Sequence, residues 1–138
     1  ASRFERRLKE LNRQNPSSDQ RVFMQIQDVR LFTVNSDHFM GQALAICGVD
    51  NIFADAPLGV APVSLEAVIG ARPDVIINVS QANQKDPWAE KWRTHLPATR
   101  LIEFAASDIS QPVARILGGI SALCNVLNRG VGEGTPYN

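Results

Sequence analysis

The chain of 138 residues is poor in the side chains that carry most catalysis and metal chemistry, with two cysteines, two histidines and one tyrosine. Cys47 and Cys124 lie far apart and form no CxxC pair, and His38 and His95 are the sole imidazoles, which argues against a structural zinc site. Net charge is missing too: 14 basic and 14 acidic side chains cancel, so no strong positive field is available to hold nucleic acid or an anionic membrane surface. No apolar run approaches the roughly 20 residues that span a bilayer. No signal-peptide pattern opens the chain, which starts without Met at Ala1-Ser2-Arg3 in a helix-like pattern and so reads as a mature product or an excised fragment. There is no GxxxxGK[ST], GxSxG, HExxH or EF-hand loop. Gly130, Gly132 and Gly134 imitate a glycine-rich turn but follow a helical pattern instead of a strand, which removes a dinucleotide fingerprint.

What remains is alternation. Phe4, Leu8 and Leu11 draw one apolar stripe on a helix over residues 2–14, whose other face carries Arg3, Arg6, Arg7, Lys9 and Arg13. Pro16 ends it. Arg21–Ile26 reads as a strand, and Phe32-Thr33-Val34-Asn35 as a loop after it. Ser36 is a candidate N-cap for a helix over 37–47 with Phe39, Met40, Ala43, Leu44 and Cys47 inward, and Gly48 is a natural stop. Residues 51–54 form a weak strand, and the Pro- and Gly-rich stretch 55–62 a loop. Ser64 caps a short helix to about Gly70, and 74–79 is a nearly continuous apolar run, the mark of a strand covered on both faces. Asp86-Pro87 opens a helix to about residue 95, residues 99–104 form another strand, and 112–128 the longest helix, with Ile120, Leu123, Cys124 and Leu127 inward. His38 and His95 read as helix-end residues, Trp88 and Trp92 as a packing stripe at i and i+4, and Asp50 and Asp55 as turn carboxylates.

One helix followed by four strand–helix alternations predicts an α/β three-layer sandwich, a Rossmann-like lobe around a mainly parallel sheet of about four strands. Ligands of such sheets sit outside the carboxyl ends of the strands, here the stretches 27–36, 54–63, 80–85 and 105–110. At this level Cys47 and Cys124 are either two buried thiols or one bridge between two helices.

Five segments in order sharpen the reading: Arg21-Val-Phe-Met-Gln-Ile-Gln27, Phe32-Thr-Val-Asn35, Leu44-Ala-Ile-Cys-Gly-Val-Asp-Asn-Ile-Phe53, Pro62-Val-Ser-Leu-Glu-Ala-Val68 and Arg72-Pro-Asp-Val-Ile-Ile77. Together they resemble the C-terminal lobe of the metal-chelate class of ABC-transporter substrate-binding proteins, the cobalamin-binding kind in particular. The resemblance runs from the first helix to about residue 128. It implies that residues 1–15 are the end of a helix bridging two lobes, 16–129 a C-terminal lobe and 130–138 a flexible tail, with an N-terminal lobe missing.

The resemblance further implies a Cys47–Cys124 disulfide and hence a periplasmic location. It assigns Glu66, in the first turn of a helix, to docking on an inner-membrane ABC permease, whose arginine the carboxylate would accept. It places a metal chelate such as cobalamin against Phe32, Thr33, Asn35, Val60, Ser80, Gln81, Ser107 and Asp108. Val60 departs from the pattern, because cobalamin-binding members carry a ligand-packing aromatic there. No catalytic residue, resident metal or cofactor is implied. A large, nearly neutral ligand suits these residues, with ferric siderophore or haem as the alternative cargo. The rival readings are a small cytoplasmic α/β nucleotide-binding enzyme, and an interaction domain with Trp88 and Trp92 as an exposed patch.

Overall fold

The computed structural model describes residues 3–26, 30–80, 86–105 and 113–129, with side chains at 80, 105, 113–116 and 129 left aside. In chain order the elements are α1 (Arg3–Gln14), β1 (Arg21–Ile26), β2 (Phe32–Val34), α2 (Phe39–Ile46), β3 (Asp50–Asn51), β4 (Val60–Pro62), α3 (Leu65–Ala71), β5 (Val75–Ser80), α4 (Ala89–His95), β6 (Arg100–Ala105) and α5 (Val113–Arg129).

The hydrophobic pattern explains the layering. Val22, Phe23, Met24 and Gln25 are buried in succession, as are Val75, Ile76 and Ile77, so β1 and β5 have no solvent face. Strands covered on both sides need helices on both sides. Val22, Met24, Val75, Ile77 and Val79 face one way, onto Leu44, Ile120, Leu123 and Leu127 of α2 and α5, with Leu8 and Leu11 of α1 at the margin. Phe23, Ile76 and Leu101 face the other way, onto Val68 of α3 and Trp92 of α4.

The sheet order is β4-β2-β1-β5-β6, with β3 beside β1. β1 pairs in parallel with β3 and β5, and β5 with β6, which is the expected mainly parallel sheet. Two strands occupy stretches expected to be loops. β2 turns back antiparallel on β1, with Phe32 opposite Ile26, and β4 lies antiparallel on β2, with Val60 opposite Val34. Three-residue strands next to Pro and Gly carry too few alternating positions to show a period of two.

Helix ends follow local chemistry, with corrections at α2 and α4 and at one expected strand. α2 is capped by His38 in place of Ser36, and Phe39 is exposed, not inward. Asp86 accepts from the Trp88 amide at 2.8 Å, which caps a turn ahead of α4, so the helix starts at Ala89. The strand expected over 51–54 is only Asp50–Asn51. Ser64 caps α3 as expected, its Oγ accepting from the Ala67 amide at 3.0 Å. Gly48 stops α2 at φ 78°, where a Cβ would lie 2.5 Å from the Asn15 carbonyl oxygen. The Arg100 guanidinium donates to the Val126 and Leu127 carbonyls at 2.8 and 3.2 Å and so caps the last turn of α5.

Cys47, just past α2, is disulfide-bonded to Cys124 in α5, with Cα atoms 5.0 Å apart and a separation of 77 residues. Both are almost wholly buried. A cross-link closing a loop of this size stabilises by about 4 kcal/mol on the chain-entropy account. The Cys47→Ala/Cys124→Ala protein is therefore expected to unfold at clearly lower urea than the oxidised chain. Reduced wild type should fall beside the variant, and coincident oxidised and reduced curves would refute the contribution.

Candidate functional site

The carboxyl ends of β1, β5 and β6 form one rim of the sheet. Register brings further residues to the same level. Phe32 stands opposite Ile26, Pro62 opposite Phe32, and the Val63 amide donates to the Leu31 carbonyl at 3.1 Å. The first turn of α3 therefore starts at this rim and presents an exposed Glu66.

The expected ligand residues divide into three groups. Phe32 and Val60 are available. Phe32 is half-buried, with the exposed Arg30 guanidinium 5.7 Å from its ring centre. Val60 is 45% exposed, sits in a strand instead of a loop, and has the still more exposed Leu58 beside it. Phe32 and Val60 are diagonal neighbours on one face of the β2–β4 pair, since Val60 opposes Val34.

Thr33 and Asn35 are committed to the fold. Thr33 has no exposure, and its hydroxyl donates to the Met24 carbonyl at 2.9 Å. Asn35 is 5% exposed. Its Oδ1 accepts from the amides of Asp37 and His38, while its Nδ2 donates to the Ala56 carbonyl at 2.9 Å. Gly41 lets α2 press on this turn, for a Cβ there would fall 1.8 Å from the Asn35 carbonyl oxygen. Asn35 thus holds the turn between β2 and α2 against the chain ahead of β4, while Thr33 ties β2 to β1. The Thr33 correction follows from cover on both faces of β2, where Thr33 and its neighbour Val34 are both without exposure. Ser80 ends β5 at the rim with its side chain undescribed, and Gln81, Ser107 and Asp108 lie outside the described residues.

A polar group that residue-type reasoning passed over lies under the rim. Gln25, with no exposure, donates from Nε2 to Asp86 Oδ1 at 2.8 Å and to Asn78 Oδ1 at 3.3 Å, and accepts at Oε1 from Trp92 Nε1 at 2.8 Å. Its signal in the sequence is one amide inside an apolar strand. Trp92 is wholly buried, and its ring lies edge-on to Phe23 at 6.0 Å and stacked on Trp88 at 6.3 Å, so the pair packs and forms no exposed patch.

Among the described residues no group of three or more His, Cys, Asp or Glu side chains could hold a metal ion. A groove of about 780 Å³ between α1 and α5, lined by Arg3, Phe4, Arg7 and Leu117 among others, contains none of the expected ligand residues. Among the described residues no helix is long and apolar enough to cross a membrane.

Comparison with known proteins points to a class of receptors. No family profile matches the chain. It resembles periplasmic binding proteins in both sequence and structure. The vitamin B12-binding protein of Vibrio cholerae is 28% identical over 128 residues, which covers 90% of this chain and 46% of that protein. That of Photorhabdus laumondii is 29% identical over 107 residues, covering 78% and 38%. The crystal structure of the periplasmic vitamin B12 binding protein BtuF of V. cholerae superposes with a TM-score of 0.76 at 26% identity, over 94% of this chain and 52% of that one. The periplasmic haem-binding protein HutB of V. cholerae shares the fold, at a TM-score of 0.71 and 15% identity over 89% of this chain and 52% of that one. The chain thus spans about half the length of the relatives it matches.

His38 supplies a pH test of the turn that carries this edge of the site. Its Nδ1 accepts from the Met40 amide at 3.0 Å, and burial holds its pKa below the usual imidazole value. A lowered folded-state pKa means that this stabilisation is complete above the ordinary value of about 6.5 and is lost as pH falls through the lower folded one. Protonation also removes the acceptor and puts a cation at a helix N-terminus. His38→Asn, which caps without titrating, is expected to flatten the fall in urea midpoint between neutral pH and pH 5. An equal fall in variant and wild type would refute the role.

Proposed function

We propose that this chain is the C-terminal, ligand-binding lobe of a periplasmic ABC-transporter solute-binding protein for cobalamin or a related corrinoid, acting by binding and release without covalent chemistry. The observation that carries the reading is the match to vitamin B12-binding proteins over nine-tenths of this chain and about half of theirs. A fold that supplies one apolar edge of a rim, and no metal cluster among its described residues, fits a site shared with a second lobe. Phe32 and Val60 offer van der Waals surface to a large chelate, and Leu58 extends it. Ser80, Gln81, Ser107 and Asp108 are the polar candidates by chain position. Thr33 and Asn35 belong to the support of the site. Glu66 stands exposed at the same rim, where a permease arginine could pair with it once ligand is bound.

Half of a shared cleft offers half of the contacts, and affinity falls steeply when contacts are lost. Calorimetry with cyanocobalamin is expected to show tight binding to the two-lobe protein and binding no tighter than about millimolar to this chain alone. Tight binding of haem or a ferric siderophore in place of cyanocobalamin would reassign the cargo. Tight binding by this chain alone would overturn the shared site.

Docking separates from binding. Glu66→Ala is expected to leave cyanocobalamin affinity within twofold and to lower ligand-stimulated ATP hydrolysis several-fold in vesicles carrying the cognate transporter. Unchanged hydrolysis would remove Glu66 from the docking surface.

A further inference from the structure

Gln25 is an expensive residue to place where it is. Its side chain has no exposure, and the positions around it on β1 are Val22, Phe23, Met24 and Ile26. A buried amide costs stability unless every polar atom finds a partner, and an apolar side chain of similar volume would fill the same space. Here both polar atoms are used, and the partners come from three different places. Asn78 is its register neighbour on β5, Trp92 belongs to α4, and Asp86 stands in the turn leading into α4. Asp86 uses the same Oδ1 to hold the Trp88 amide at 2.8 Å. One side chain thus ties the middle of the sheet, the buried face of α4 and the turn leading into that helix.

We propose that Gln25 is a positioning residue for ligand binding: through Asp86 and Trp92 it fixes the start of α4 against β1 and β5, beneath the rim that receives the ligand. This rests on the receptor reading above. Apolar packing alone resists separation but is tolerant of sliding, whereas a directional acceptor–donor set admits one placement. Segments already held in the bound shape lose less freedom on binding, and affinity gains accordingly. Gln25 itself touches no ligand, for it lies beneath the rim with no exposed surface.

The test uses Gln25→Leu and Asp86→Ala, singly and together. Asp86→Asn keeps an Oδ1 acceptor for both Gln25 and the Trp88 amide and serves as the rescue. Ile76→Val trims the same packed face without touching the tie and serves as the stability control. In the two-lobe protein, Gln25→Leu and Asp86→Ala are each expected to weaken cyanocobalamin binding about tenfold, the scale of one hydrogen bond. The double variant should be no weaker than the worse single, with Asp86→Asn and Ile76→Val near wild type. Equal affinities in Gln25→Leu and wild type would overturn the proposal, and so would additive losses or a matching loss in Ile76→Val.

A second readout does not depend on the cargo. In this chain alone, hydrogen exchange at the Trp88 amide should speed up at least tenfold in Gln25→Leu, beyond any change in Ile76→Val. An unchanged rate would overturn the tie whatever the ligand proves to be. If wild type fails to bind cyanocobalamin while the exchange result holds, the cobalamin reading falls and the positioning role stands.

Discussion

Burial of the central strands on both faces is the constraint from which the rest of the molecule follows. β1 and β5 expose no apolar face, so α1, α2 and α5 must cover one side and α3 and α4 the other. Helices on both faces leave the ends of the strands as the open surface of the sheet. The amino ends are closed by short local bonds, such as the Arg21 amide on Asp74 and the Asp50 amide on Gln20. The carboxyl ends are where the connecting segments are longest. A site at that rim is a consequence of the core as much as of any side chain in it.

The antiparallel edge made by β2 and β4 adds what a purely parallel sheet lacks. It carries a half-buried aromatic and an exposed aliphatic side chain diagonally to each other, on strands whose register is fixed by backbone pairing. A short edge strand ending at Pro62 offers little to a foreign strand, because proline donates no backbone bond. The exposed apolar side chains there can therefore serve a ligand without inviting strand addition. Thr33 and Asn35 keep the edge in place from within, through the Met24 and Ala56 carbonyls.

Much of this was legible in the residues. Helices with a clean apolar stripe and a capping Ser or stopping Gly, such as α3 and the end of α2, stand where their patterns put them. The buried run at β5 announced a strand covered on both faces. The pairing in the structure decides what pattern left open for the two cysteines, whose bridge only the family resemblance favoured. β2 and β4 were not legible, because three residues cannot display a periodicity and their pairing is set by partners far along the chain. For the same reason Thr33 looked like a loop residue open to ligand, when β2 is covered on both faces and Thr33 and Val34 are both buried. At the site, the resemblance and chain position pointed to Glu66 and Phe32, and residue type alone singled out neither. Residue type also missed Gln25, whose importance lies in three partners that only the fold assembles.

The chemistry of the rim also constrains what kind of recognition this half of a cleft can supply. A site that must discriminate by charge needs fixed ions, and at the rim Arg30 lies over the ring of Phe32 while Glu66 stands on the outer helix. On the proposed reading, specificity then comes from shape: apolar surface in a fixed position, and polar groups held so that few alternative contacts form. Shape is a property of placement, and placement here is maintained from below by the buried side chains of Gln25, Thr33 and Asn35. That division explains why the rim residues are unremarkable by type while the buried ones beneath them are polar at a cost to packing. On a surface that recognises by shape, the demanding positions are those that keep it still.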